Sequence, residues 1–234
     1  MGKAIFKQRN GVFGVGIVTP CGLITPEQLG GLSKLLPEVG ALGSKLTTRQ
    51  TLIVLIPEEA LERFAAGVTA LGLDIGSFGD IVRNVKGCAG NSSLCMRSLS
   101  EAHGLAVEIQ KKFMNQPTPH DFKISVAGCH RGCTDPLCAD FGLIATGPDT
   151  YDVYIGGRGG SRRPQHGQKM YSSISSDAVF VVLDHLLKVY RSLGEPAERI
   201  CSTIKRVGID PFVLPEGELP KEEPSNDFFD FLND

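Results

Sequence analysis

The segment Ala127-Gly128-Cys129-His130-Arg131-Gly132-Cys133-Thr134-Asp135-Pro136-Leu137-Cys138-Ala139-Asp140-Phe141-Gly142-Leu143 decides the fold of this chain. It contains two cysteines separated by three residues, and it follows residues 122–126, in which apolar and polar side chains alternate as in a strand. A second pair, Cys88 and Cys95, lies upstream with six residues between its members. Cysteines at the end of a strand, with a second pair nearby, predict a metal site.

The cysteine content favours metal ligation over disulfides. The chain has seven cysteines, and residues 1–9 contain no apolar stretch of signal-peptide length, so we expect a cytoplasmic protein with reduced thiols. Four thiolates are the full complement of a [4Fe-4S] cluster, here Cys88, Cys95, Cys129 and Cys133. Spacing alone leaves two alternatives open: a zinc site, for which the six-residue gap is wide, and four unrelated buried thiols.

Composition and charge exclude several classes of function. The 234 residues are 41% apolar and 21% charged, which is typical of a globular domain, and no apolar run reaches the roughly 18 residues that a membrane span requires. Residues 215–234 have a net charge of −6, which leaves about +4 on residues 1–214. This excess suits a small inorganic anion and is too weak for nucleic acid. We therefore expect no membrane and no nucleic-acid partner.

Hydrophobic periodicity predicts alternating strands and helices, which is typical of an α/β or α+β protein. Residues 10–75 form a β-α-β-α unit, and the apolar run at 51–56 predicts a strand buried on both faces. The predicted strands cover 12–18, 51–56, 81–86, 122–126, 141–145 and 151–155, and the predicted helices lie near 25–36, 57–71, 99–113, 179–186 and 195–206.

Residues 128–143 closely resemble the signature of the siroheme-containing sulfite and nitrite reductases. That signature is a small or β-branched residue, Gly, Cys-x3-Cys, six residues, an acid, an apolar residue, a small residue and an apolar one. Only the first position departs from it: Ala127 stands where Ser, Thr or Val is usual. Three further stretches resemble the family in the expected order, so that the likeness covers roughly residues 10–210: they are 19–25, 46–51 and 84–90.

The resemblance implies a fold of the α/β class, mixed α+β, in three parts. A ferredoxin-like N-terminal β-α-β subdomain covers 1–75, a mixed-sheet subdomain that binds siroheme and a [4Fe-4S] cluster covers 76–214, and an acidic flexible tail covers 215–234. In such proteins the last cysteine of the second pair, here Cys133, bridges the cluster to the siroheme iron. Larger members fuse two copies of the module, so we expect a homodimer, or a heterodimer with a related subunit.

The resemblance also implies the residues that bind siroheme and substrate. Arg49 matches the family arginine of the Thr-x-Arg-Gln strand, and Lys123 matches one of two family lysines; both are expected to be catalytic. The second lysine position holds Asp121, and a further family arginine is replaced by Gly16. A pocket that lacks two of the four family cations favours a monoanion such as nitrite over sulfite, a different substrate, or a site completed by His120 or His130. The candidates for binding the siroheme carboxylates are His130, Arg131, Arg158, Arg162, Arg163 and Lys169.

The sequence therefore predicts the haemoprotein component of a siroheme-dependent sulfite or nitrite reductase. Its external electron donor is expected to be a ferredoxin or a reductase subunit. The alternative is a non-catalytic siroheme and [4Fe-4S] subunit that carries electrons or has a structural role. Cys21 and Cys201 are expected to be small buried residues, and Cys138 to pack, with a second role as a ligand or redox-sensitive thiol left open.

Overall fold

The structure is a computed structural model that describes residues 2–91 and 93–220. Within these ranges the chain forms strands and helices around two hydrophobic cores. The strands are β1 (Gly2–Lys3), β2 (Ile5–Lys7), β3 (Phe13–Val18), β4 (Gly43–Leu46), β5 (Thr51–Ile56), β6 (Asp74–Ile75), β7 (Ser77–Phe78), β8 (Lys86–Gly87), β9 (Ile124–Ala127), β10 (Phe141–Gly147), β11 (Thr150–Ile155) and β12 (Gln168–Ser175). The helices are α1 (Pro26–Glu38), α2 (Leu61–Ala70), α3 (Ala102–Phe113), α4 (Ser176–Leu193) and α5 (Ile200–Val207).

The first core lies between an antiparallel sheet and two helices. The sheet has the order β2-β3-β5-β4, with β6 beside β3, and α1 and α2 supply Leu32, Phe64 and Val68 to the core. Helix α1 begins in a capping box, in which the Gln28 N–H donates to Thr25 Oγ1 and the Thr25 N–H donates to Gln28 Oε1. Helix α1 and the apolar face of α2 cover one face of the sheet, as expected for a ferredoxin-like unit.

Two predictions for this half are wrong in detail. Helix α1 includes Pro37 and ends at Glu38, beyond the predicted end at Leu36, because a proline in the last turn removes only one helical hydrogen bond. Strand β5 is not buried on both faces: Val54 and Ile56 are buried, whereas the other four residues of the strand are half-buried. The reason is that α1 and α2 pack on a single face of the sheet.

The second core is built on a mixed sheet of order β12-β11-β10-β9-β8. Strands β8, β9 and β10 are parallel, whereas β10, β11 and β12 are antiparallel. Strand β9, between β10 and the edge strand β8, is buried throughout. The polar residue Ser125 is therefore buried as well, and its hydroxyl donates to Thr134 O at 2.6 Å. Helices α3 and α4 fill the core with residues that include Ile109, Phe113 and Val182.

Several predicted elements of the second half differ from the structure. Residues 81–86 form two isolated bridges and the short strand β8, because Val82 and Arg83 bond to irregular segments. Helix α3 begins at Ala102, so Leu99 lies exposed in the preceding loop, and α5 begins at Ile200 rather than at 195. Strand β12 has no predicted counterpart, since its mostly polar residues form an exposed edge.

Two side-chain amides join the two halves beside the predicted metal site. Gln50 Nε2 donates to Gly87 O at 2.6 Å, and the Gly87 N–H donates to Gln50 Oε1 at 2.9 Å. These two bonds fix the turn between β4 and β5 against the segment that precedes Cys88. The buried Gln110 on α3 donates to Thr19 O and accepts from the Val85 N–H, both at 3.0 Å, and so connects the residue after β3 to the same segment.

The predicted acidic tail covers 215–234, of which residues 221–234 lie outside the described residues. In the part of the chain that the structure describes, every helix is too short or too polar to cross a membrane.

The carboxylate of Glu198 stabilises the start of α5, and its contribution should depend on pH. Arg206 Nη2 donates to Glu198 Oε2 at 2.6 Å, and this bond is the largest of the causes that lower the pKa of Glu198 from 4.5 to about 2. A depressed pKa contributes stability that is complete above the unfolded value and is lost as the pH falls through the folded value. Glu198→Gln should therefore lower the free energy of unfolding near neutral pH, and the deficit should shrink between pH 4.5 and 2.

Urea unfolding at several pH values would measure this difference. Glu195→Gln is the matched control, because Glu195 is 67% exposed and lies 3.7 Å from Arg206 Nε. We expect little change in the control. A deficit in Glu198→Gln that stays constant with pH would contradict the assignment.

Candidate functional site

Three of the four predicted cluster cysteines lie at one edge of the mixed sheet. Cys88 follows β8, and Cys129 and Cys133 follow β9; because these strands are parallel neighbours, their carboxyl ends meet. The Gly128 N–H donates to Cys88 Sγ at 3.0 Å. The pKa of Cys88 is raised, chiefly by burial and further by the nearby charges of Cys133 and Cys129, against backbone hydrogen bonds that lower it.

Cys95 comes from the loop that connects β8 to α3. Its N–H donates to Asn91 O at 3.0 Å, and its side chain is half-buried. Gly90 and Gly128 let this loop approach the end of β9: a Cβ on Gly128 would lie 2.4 Å from Ser98 Oγ, and a Cβ on Gly90 would lie 2.7 Å from Cys88 Sγ. Only glycine permits this approach of the loop.

The remaining cysteines differ in environment. The prediction that Cys21 and Cys201 are buried is confirmed. Cys138 is half-buried and lines a cleft, so both its packing role and a second role as a ligand or redox-sensitive thiol stay predictions. Cys138 ends a short 3₁₀ turn that crosses β10, where a Cβ on Gly142 would lie 2.1 Å from Pro136 O. That contact explains why the signature needs a small residue at this position.

The cleft begins immediately after Cys133, at Thr134 and Asp135, and is cationic. It runs between the turn at 47–50 and the loop at 156–164. Among the described residues, the cations that line it are Arg49, Lys86, Lys123, Arg158 and Arg199.

Arg49 is held in the cleft by the segment that leads to Cys88. Its Nη2 donates to Asn84 O, and Asn84 Nδ2 donates to Arg49 O at 2.6 Å. Its Nε is buried and has no hydrogen-bond partner among the residues that the structure describes. Burial, and next the charge of Arg83, lower the pKa of Arg49 to about 10, so the guanidinium is charged at neutral pH and can bind an anion.

Lys123 and Arg199 are both paired with carboxylates. Lys123 Nζ lies 2.7 Å from Asp121 Oδ2, and Arg199 Nη1 lies 3.0 Å from Asp121 Oδ1. Arg199 Nη2 also donates to both oxygens of Asp140, at 2.9 and 2.7 Å, and the Lys123 N–H donates to Asp140 Oδ2 at 2.8 Å. Asp140, the acid of the signature, is completely buried. It therefore positions both cations at the cleft.

Arg199 is a site residue that the sequence analysis missed. It lies just before α5, far along the chain from the cysteine segment and outside the motifs. The one available signal was Asp140: an acid placed between buried strand residues requires a cationic partner.

The predicted siroheme-binding residues are only partly brought together. Arg158 lines the cleft, and its N–H donates to Gln165 O at 2.9 Å. The other predicted siroheme-binding residues do not line the cleft. Lys169 Nζ lies 2.5 Å from Asp152 Oδ2. The remaining four side chains are exposed: His130, Arg131, Arg162 and Arg163. The assignment of these residues to siroheme stays a prediction.

Two family models match the chain. The nitrite and sulphite reductase 4Fe-4S domain matches residues 78–215, and the nitrite/sulfite reductase ferredoxin-like half domain matches residues 6–71. The family prediction and the fold class are thereby confirmed. Together the two models include the Arg49 turn, the predicted cluster cysteines and Arg199.

Known proteins give the same result. The chain is 28% identical over 195 residues to the nitrite reductase [NAD(P)H] of Emericella nidulans. The aligned region covers 82% of this chain and 17% of that protein. It is 26% identical over 194 residues to the assimilatory-type sulfite reductase of Nitratidesulfovibrio vulgaris, covering 82% of this chain and 86% of that one. The chain thus spans about a quarter or less of the first nitrite reductases it matches.

The fold is similar to a solved structure of dissimilatory sulfite reductase I. The TM-score is 0.78 at 15% identity, and the match covers 92% of this chain and 73% of that one. At this identity the match shows the fold alone.

The family implies a [4Fe-4S] cluster and siroheme, and the chemistry of the donor set suits both. Thiolates are the ligands that iron–sulfur clusters take, and Cys88 lies within electrostatic range of Cys133 and Cys129. Among the described residues, however, no three Cys, His, Asp or Glu side chains lie close enough together to hold a metal ion, so the ligand set stays a prediction. The adjoining cleft has cations suited to the carboxylates of a siroheme, and the buried Arg49 Nε supplies a further unpaired donor. The chain belongs to the nitrite and sulphite reductase family, with a ferredoxin-like half domain followed by a 4Fe-4S domain.

Proposed function

We propose that this chain is the haemoprotein component of a siroheme-dependent reductase of nitrite or sulfite. The observation that supports this proposal best is the cationic cleft that starts beside Cys133. A cleft with several buried or half-buried cations attracts small oxyanions, and its position next to the cysteines would bring the anion to the cofactors.

Four cysteines would hold the cluster: Cys88, Cys95, Cys129 and Cys133. Cys133 would hold the siroheme as well as the cluster, and Arg158 would bind a siroheme carboxylate, together with Arg162, Arg163, His130 and Arg131 where they reach it. When bound, the siroheme and the cluster would pass to the substrate the six electrons that an external donor supplies.

The chain's own side chains bind the substrate and provide protons. The guanidinium of Arg49 and the ammonium of Lys123 would bind the oxygen atoms of the anion and stabilise the charge that builds up on them. Lys123 Nζ can also donate a proton to an oxygen that leaves as water. Arg199 would be a third cation at the site; it contacts Oδ1 of Asp121, whereas Lys123 contacts Oδ2.

The partner predictions belong to the same proposal. Electrons would come from a ferredoxin or a reductase subunit, and the working form would be a homodimer or a heterodimer with a related subunit. Size-exclusion chromatography with light scattering would measure the assembly.

Activity and colour test the proposal together. Anaerobically purified protein should show a Soret-type band and a red-region siroheme band, and it should oxidise reduced viologen dye when nitrite or sulfite is added. Arg49→Met should lower kcat/KM by about a hundredfold or more, since it removes a donor aimed at developing charge. Lys188→Met is the control, because Lys188 is an exposed lysine on α4. Coloured protein that turns over neither anion would favour the non-catalytic carrier.

A further inference from the structure

Four basic side chains beside the cleft lie within 4.0 Å of the Asp121 carboxylate. Lys123 Nζ lies at 2.7 Å, Arg199 Nη1 at 3.0 Å, His120 Nε2 at 3.6 Å and Arg83 Nη1 at 4.0 Å. The side chain is 17% exposed, so water screens these contacts only in part. Charged neighbours therefore keep Asp121 ionised at neutral pH.

This arrangement makes the cleft less positive than its cations suggest. Lys123 is balanced by Asp121, Arg199 by Asp140, and Lys86 by Asp135, which lies 3.1 Å away. Of the cleft cations in the described ranges, Arg49 and Arg158 have no carboxylate within 4.0 Å. The field that a bound anion meets is close to that of these two groups.

We propose that Asp121 determines substrate specificity by lowering the affinity of the cleft for dianions relative to monoanions. The inference rests on the proposed function and narrows it: the favoured substrate is nitrite, a monoanion, rather than sulfite, which is a dianion at alkaline pH. The Coulomb repulsion from one carboxylate is proportional to the charge of the anion, so it acts twice as strongly on the dianion.

Anion affinity tests this proposal without any turnover. The oxidised holoprotein is titrated at alkaline pH with sodium nitrite and with sodium sulfite, and the siroheme absorption reports binding. Asp121→Asn keeps the size of the side chain and removes its charge. The ratio of the sulfite Kd to the nitrite Kd should fall by about fivefold to tenfold, because the substitution removes one negative charge beside Lys123 and Arg199, which line the cleft.

The matched control is Asp184→Asn. It removes the same charge from an exposed pair with Lys188 on α4, and it should leave the ratio unchanged. If Asp121→Asn changes both affinities equally, or neither, or if the control shifts the ratio as much, the proposal is overturned. Wild-type protein without any anion response would overturn the proposed function, and this inference with it.

The wild-type protein provides a second measurement in case Asp121→Asn fails to take up its cofactors. A cleft in which Arg49 and Arg158 are the cations without a carboxylate partner among the described residues should bind sulfite with a weaker dependence on ionic strength than five unpaired cations would give. A steep loss of sulfite affinity between low and physiological salt would show a strongly positive cleft, and it would overturn the proposal.

Discussion

Cys133→Ser is expected to abolish the coupled cofactor pair, because serine does not supply the soft thiolate that the cluster iron takes. The visible spectrum should lose its siroheme and cluster bands or show them uncoupled, and viologen-dependent activity should fall by more than about a hundredfold. Even substitutions beside a metal ligand cost about 10–100-fold, so the loss of a ligand should cost more. Iron analysis and absorption spectra of anaerobic protein measure the change.

Cys138→Ser is the matched control for this experiment. Cys138 lies five residues further along, in the same segment, and its half-buried side chain also lines the cleft. We expect this variant to keep its iron and its colour. Equal losses in the two variants would show that the assignment of the ligands is wrong.

Asp140→Asn is expected to lower the free energy of unfolding by about 3 kcal/mol. The substitution leaves the Arg199 guanidinium, which is 12% exposed, without its closest carboxylate, and breaking one side of a buried pair typically costs about 3–5 kcal/mol. Asparagine can still accept the Lys123 N–H, and Asp121 still contacts Arg199, which places the value at the lower end. Urea denaturation followed by circular dichroism gives the free energy.

An exposed pair provides the comparison. Asp184→Asn on α4 breaks a contact with Lys188 at 2.6 Å, and both side chains are largely in water. Its effect should stay below about 0.5 kcal/mol. If Asp140→Asn cost no more than this control, Asp140 would not be the group that fixes Arg199.

Local patterns account for most of what the sequence predicted. The segment 128–143 indicated the family because its close contacts restrict the residue type at several positions. A side chain at position 142 would clash with the carbonyl oxygen of Pro136, and position 140 needs an acid to bind Arg199. The edge strand β12 has no such constraint. Its side chains are largely exposed, so no alternation of apolar and polar residues marks it.

The sequence predicted a pocket with fewer cations, because Asp121 and Gly16 replace a family lysine and a family arginine. It did not predict the ion pairs that balance the remaining cations, because these pairs join distant segments. The pairing of Asp121 with Arg199 joins residues 78 positions apart, and nothing in the order of residues indicates that contact. The same applies to Arg49 and Asn84, which meet because the two halves pack together.

The bonds between Gln50 and Gly87 have a consequence for synthesis on the ribosome. Residues 2–75 emerge before residues 84–87, so the turn that carries Arg49 can form these bonds only after the later segment has followed. Strand β9, which precedes Cys129, and then Arg199 emerge later still. The cation cleft is therefore complete only after Arg199 has left the ribosome, so cofactor insertion should follow the synthesis of this segment.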